Sequence, residues 1–242
     1  MTTRAGPSVG MRYVLVHSPS VGPTTWRPVA EVLRRTRAVT LVDLDGVADA
    51  GPDFAGFITR RVVECATRDD ASEPLVVATH SNCGYFAPLI ADALDQASYA
   101  VAALLFVDAG IPDASGTTDL AGEFIVRLRE LAVHGVLPRW TDWWPADVVE
   151  ELVPDAHMRA EVVADQPQLP MRFYETPVIT GKDWTRRRCG FVWFAPPYDE
   201  QAAVAAGLGW PVERVPGQHL HLVVDAEAVT KAMIAVVQEL MR

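Results

Sequence analysis

Several short segments of this chain are apolar at consecutive positions, among them YVLV (13–16), LVVA (75–78) and ALLFV (103–107). A strand with one face in water alternates polar and apolar residues. A strand of a parallel sheet is covered on both faces and reads as a continuous apolar run. Stretches of helical periodicity separate the runs: PTTWRPVAEVLRRT (23–36), DFAGFITRRVVECATRD (53–69) and YFAPLIADAL (85–94). Strands at 12–17, 38–44, 75–78 and 101–110 alternating with such helices predict an α/β fold, a mostly parallel sheet with helices on both faces. From about Ile111 to Trp184 the rhythm breaks into a segment rich in Pro and Trp, and it returns with GFVWF (190–194), DEQAAVAAGLG (199–209), PVERVP (211–216) and a last helix from Asp225 to Leu240. A helical lid inserted between two late strands explains the break. It divides the chain into a core of residues 1–112 and 186–242 and a lid of residues 113–185.

The chain is long enough for one sizeable core: 242 residues, 50% hydrophobic and 21% charged. Its formal charge of −10 argues against a nucleic-acid partner, which would need clustered positive charge. Arg186, Arg187 and Arg188 form the one basic cluster, short enough to be an ordinary solvated face. Cys65, Cys83 and Cys189 are odd in number and form no CxxC pair, so neither a disulfide framework nor a zinc site is expected. The N-terminal MTTRAGPSVGMRYVLVHS carries too short an apolar stretch for a signal peptide or membrane span. A cytoplasmic protein without membrane contact, metal or cofactor is the resulting expectation.

The segment VVATHSNCGY (76–85) joins an apolar strand to a helix through a knot of polar and small residues. A serine on a strand-to-helix turn projects above the sheet, with N–H groups of the helix start beneath it. The usual pattern is G-x-S-x-G, and here Thr79 and Cys83 stand in the flanking glycine positions, with Gly84 one residue further on. The competing role for Ser81 is an ordinary helix cap. As a nucleophile it needs a base and an acid to orient that base. In enzymes with such a turn the acid and then the histidine follow the serine in the chain. His219 in VPGQHLHLVVD meets that order just after a strand and a Gly-containing turn, and His221 is the alternative. Asp108, at the end of the apolar strand LLFVD, is the preferred acid, because a carboxylate there needs a partner. Asp199 in APPYDEQAA is the alternative, with helix capping as its competing role.

With these residues in place, VLVHSPSVGPTTWRPVAEVLR, THSNCGYFAPLIA, FVDAGIP and GQHLHLVVD together resemble the α/β-hydrolase superfamily. The layout is similar to that of polyketide-type thioesterases, which carry the acid after the strand that follows the turn helix, a Gly-Pro stretch and an aromatic residue after the first strand, as Gly22, Pro23 and Trp26 here, and a helical lid. The resemblance implies a Ser-His-Asp triad of Ser81, His219 and Asp108. It also implies an oxyanion hole built from Asn82 and the loop after the first strand. That loop reads His17-Ser18-Pro19, and because Pro19 has no N–H the second donor falls to Ser18 or Ser20. Losing one such donor costs about 3 kcal/mol of transition-state stabilisation. His17, Trp140, Trp143 and Trp144 are the candidate pocket residues, suited to a bulky apolar acyl group. The expected substrate is a thioester, ester or lactone of the kind found in secondary metabolism, free or delivered by a carrier protein. Cofactor-free cyclisation, dehydration or lyase chemistry on the same fold is the alternative.

Overall fold

A computed structural model of the protein describes residues 10–67 and 73–242. The sequence expectations for residues 1–9 and for the helix end at 68–69 lie outside the described residues. The chain runs β1 (Arg12–Val16), α1 (Arg27–Leu33), β2 (Val39–Val42), α2 (Phe54–Ala66), β3 (Leu75–Ser81), α3 (Ala87–Gln96) and β4 (Val101–Ala109). It continues through β5 (Thr117–Thr118), α4 (Ile125–Leu131), α5 (Ala146–Leu152), α6 (Ala156–Ala164), α7 (Arg172–Glu175) and β6 (Val178–Ile179). Then come β7 (Cys189–Trp193), α8 (Asp199–Gly207), β8 (Val212–Arg214), α9 (His221–Val224) and α10 (Ala226–Leu240).

Six strands form one parallel sheet in the order β2-β1-β3-β4-β7-β8. Alternate residues of each strand face opposite layers. Tyr13, Leu15, Val76, Ala78, Leu105 and Val107 pack against Val29, Ala30 and Leu33 of α1 and Val229, Met233 and Val236 of α10. Val14, Val16, Leu75, Val77, Leu104 and Phe106 pack against Ile58 and Val62 of α2 and Ile90 and Leu94 of α3. This two-sided burial is why β1, β3 and β4 carry the uninterrupted apolar runs 13–16, 75–78 and 103–107. α2 and α10 begin where Asp53 and Asp225 accept the N–H of Gly56 and Ala228, at 3.0 and 2.9 Å.

From β1 the chain first turns to β2 on one side and then crosses to β3 on the other. Such a reversal opens a crevice at the carboxyl ends of β1 and β3, where ligands of open α/β sheets bind. The segment between β4 and β7 adds four short helices and shares the core through Leu128, Leu137, Leu169 and Phe173. It is not wholly helical: β5 and β6 pair antiparallel, Thr117 with Ile179 and Thr118 with Val178, tying its two ends together. Cys65, Cys83 and Cys189 are buried free thiols. Among the described residues no helix is long and apolar enough to cross a membrane, and no group of His, Cys, Asp and Glu is arranged to hold a metal ion.

Candidate active site

Ser81 ends β3 at φ 56° and ψ −133°, a conformation that L-residues rarely adopt and that surrounding structure must hold in place. Two contacts hold it. The Gly110 N–H donates to the Ser81 carbonyl at 3.1 Å. Gly84 lies so close to the end of β4 that a Cβ there would come within 2.2 Å of the Gly110 carbonyl oxygen. Close approach in this turn is therefore taken by the third residue after the serine, which is why buried Cys83 and Thr79 can occupy the positions where glycine is usual.

The β3–β4 register slips at the same level: His80 pairs with Val107 and Ser81 with Ala109, and Asp108 is the residue left over, at φ 42°. A bulge of this kind re-aims a side chain. The Asp108 carboxylate, fully buried, accepts the Phe194 N–H at 3.0 Å through Oδ1 and the His219 Nδ1–H at 2.7 Å through Oδ2. His219 Nε2 lies 3.0 Å from Ser81 Oγ. With Nδ1–H given to a carboxylate, Nε2 is the acceptor of the pair and the Ser81 hydroxyl donates to it. His219 is held from behind by His80, whose Nε2–H donates to the His219 carbonyl at 3.1 Å and whose ring stacks on it with centroids 4.6 Å apart.

Burial drives the His80 pKa well below 6.5, so this imidazole stays neutral beside His219. His17 is likewise pushed down by burial. Its Nδ1–H donates to the Ser18 carbonyl at 2.8 Å and its Nε2 accepts the Leu44 N–H at 3.1 Å. Both ring nitrogens are spent on backbone, so His17 braces the loop after β1.

That loop meets the start of the β3–α3 connection through Tyr174. The Tyr174 hydroxyl accepts from Asn82 Nδ2 at 3.2 Å and is hydrogen-bonded to Ser20 Oγ, while the Ser20 N–H donates to Ser18 Oγ at 3.4 Å. Ser18 and Asn82, the two expected oxyanion residues, are thus joined by one network. Burial raises the Tyr174 pKa to about 12, keeping the phenol protonated.

The three candidate pocket tryptophans part company. Trp140 reaches the His219 ring, with centroids 5.9 Å apart. Trp143 is buried and donates its indole N–H to the Pro138 carbonyl at 3.0 Å, an anchor for the insertion. Trp144 is 36% exposed, stacks on Phe124 and meets Trp140 edge-on, both with centroids 6.0 Å apart. Neither alternative triad residue joins the cluster. Asp199 is an exposed first-turn residue of α8, and His221 packs on Gly217 and Phe194. Tyr198, next to Asp199 in the chain, is the group that sequence reasoning missed. Its hydroxyl lies 3.2 Å from Ser81 Oγ and its ring stacks on His219 at 5.0 Å. Its signal was a lone aromatic residue following two prolines after a strand end, where Asp199 drew attention instead.

No protein-family model matches the chain, and no curated protein matches it by sequence. Solved structures do match. An extracellular α/β-hydrolase from a Paenibacillus species aligns at 16% identity and a TM-score of 0.69, over 93% of this chain and 98% of its own. Polyneuridine aldehyde esterase aligns at 13% identity and a TM-score of 0.69, over 94% and 99% of the two chains. The NocB thioesterase domain from the nocardicin cluster aligns at 20% and 0.53, over 95% and 94%. The protein has the α/β-hydrolase fold.

Proposed function

We propose that this α/β-hydrolase-fold protein is a serine hydrolase of acyl compounds, with Ser81 as nucleophile, His219 as base and then acid, and Asp108 as the residue that orients His219. The observation that carries the reading is the unbroken line from Asp108 through His219 to Ser81, at 2.7 and 3.0 Å, with the serine on a strained turn at the mouth of the crevice. An unassisted serine hydroxyl is a weak nucleophile. An imidazole held in the correct tautomer by a buried carboxylate takes its proton as the Oγ–carbon bond forms. The charge that develops on the carbonyl oxygen is met by the Asn82 N–H and by a donor from the Ser18–Ser20 loop, which Tyr174 keeps in register with Asn82.

The substrate is an ester, thioester or lactone of a bulky apolar acid, free or carrier-bound, with water or an internal hydroxyl as acceptor. Trp140 beside His219 supports an apolar acyl or alcohol group there, under residues 113–185 acting as a lid. The three unpaired buried thiols fit a reducing cytoplasm. Treatment with a fluorophosphonate probe, followed by peptide mass spectrometry, tests the reading. An adduct on Ser81, absent in Ser81→Ala, is the expected result. A folded wild-type protein that takes no label at Ser81 would overturn it in favour of cofactor-free chemistry without an acyl-enzyme.

A further inference from the structure

Tyr198 lies outside the triad yet touches its reacting atom. Its hydroxyl sits 3.2 Å from Ser81 Oγ, and Ser81 is its hydrogen-bond partner among the described residues. The direction of that bond follows from the others. Asp108 takes the Nδ1 proton of His219, Nε2 takes the single Ser81 proton, and so Ser81 Oγ has only lone pairs left for Tyr198. The phenol is therefore the donor. Its ring stacks on the His219 ring, 19° from parallel, which keeps the hydroxyl on the imidazole's side of the serine. That is the side from which a proton reaches the departing group. The Tyr174–Asn82–Ser20 network, by contrast, belongs to the oxyanion residues.

We infer that Tyr198 is a further catalytic group, donating a hydrogen bond to the leaving-group oxygen when the acyl–oxygen bond breaks. The inference rests on the serine hydrolase reading. In the first half-reaction the Ser81 proton passes to His219 as Oγ bonds to the carbonyl carbon. The tetrahedral adduct then expels the leaving oxygen, which takes that same proton from His219. Tyr198 keeps its own proton throughout. Its hydrogen bond moves from Oγ, whose lone pair is now bonded to carbon, to the oxygen that gains negative charge. Burial raises the phenol pKa far above neutrality, so the donor is intact at every working pH. A thioester sulfur is a weak acceptor, so this device favours oxygen esters.

The test uses Tyr198→Phe, which removes the hydroxyl and keeps the stacked ring, assayed on butyrate esters that differ only in leaving group. The variant should lose about tenfold in kcat/KM on phenyl butyrate, whose departing oxygen needs assistance, and stay within about threefold of wild type on p-nitrophenyl butyrate. A merely structural role lowers both equally. Equal losses, no loss on either ester, or a larger loss on the p-nitrophenyl ester would overturn the inference. Fluorophosphonate labelling of Ser81 in the same two proteins separates the failures. Wild type labelled with no leaving-group effect sinks Tyr198 alone, whereas wild type unlabelled sinks the hydrolase reading and Tyr198 with it.

Discussion

The sheet and the segment between β4 and β7 meet around Ser81 but are built differently. In the sheet every strand residue near the site is buried, and the site groups are set by backbone: Ser81 by its strained turn, Asp108 by a bulge, His219 by its carbonyl on His80. The inserted segment has helices of four to nine residues and a ribbon of two residues per strand. It exposes Val126, Val133 and Ile179 at more than 60%. To the site it brings only side chains, the Trp140 ring and the Tyr174 hydroxyl. On the proposed function, chemistry that tolerates little misplacement would sit on the well-buried part, and selection of the acyl group would fall to the more exposed one.

Perturbing the well-buried part at its most exacting point should do the most damage. Asp108→Asn preserves shape but puts a donor where the His219 Nδ1–H needs an acceptor, and a loss of up to about 10⁴-fold in kcat is expected, by analogy with the serine protease triad. Circular dichroism and ester hydrolysis measure it. Activity within tenfold of wild type would remove Asp108 from the triad.

Packing gives the next contrast. Phe106 is fully buried in β4 and stacks on Trp210 at 5.4 Å, so Phe106→Ala should cost about 3–5 kcal/mol in urea unfolding. Val133→Ala, at a side chain 66% exposed in the inserted segment, should stay within about 0.5 kcal/mol. Similar costs at the two sites would erase the distinction between the regions.

Acid should weaken the sheet side through His17 and His80. Both are buried with folded pKa values below the ordinary 6.5, so the unfolded chain binds more protons once the pH falls beneath that value. Stability is therefore fully present above about pH 6.5 and declines below it, by up to about 1.4 kcal/mol per pH unit for each histidine until its folded pKa is reached. Tm measured from pH 7.5 to 5 checks the sign, and a His80→Gln protein should show a shallower decline. A Tm that rises on acidification across that window would contradict the burial argument.

The smallest effect belongs to Asp199→Asn. An exposed first-turn carboxylate contributes at most about 1 kcal/mol to its helix, and kcat should hold within twofold. A dead Asp199→Asn enzyme beside an active Asp108→Asn enzyme would exchange the two acids.

The sequence alone carried the strand–helix alternation, the parallel sheet, the strand-to-helix turn at Ser81 and the short list of acids and histidines. These are local or periodic properties: two-faced burial forces uninterrupted apolar runs, and a turn needs small and polar residues where the backbone bends. The pairing of those residues was decided only by tertiary structure. The sequence already favoured Asp108 over Asp199 and His219 over His221, but the contacts between them come from the slip between β3 and β4, which turns Asp108 toward His219, and from the bond from His80 to the His219 carbonyl. Close packing at Gly84 rather than at Cys83 depends on where Gly110 passes. The segment's short ribbon, the anchoring of Trp143 on Pro138, the stacking of Trp144 on Phe124, and the placing of Tyr198 over His219 left no mark in composition or period. A side chain's partner across a hundred residues is fixed by how strands are ordered and by where their ends stop. Neither property is written in the residue itself.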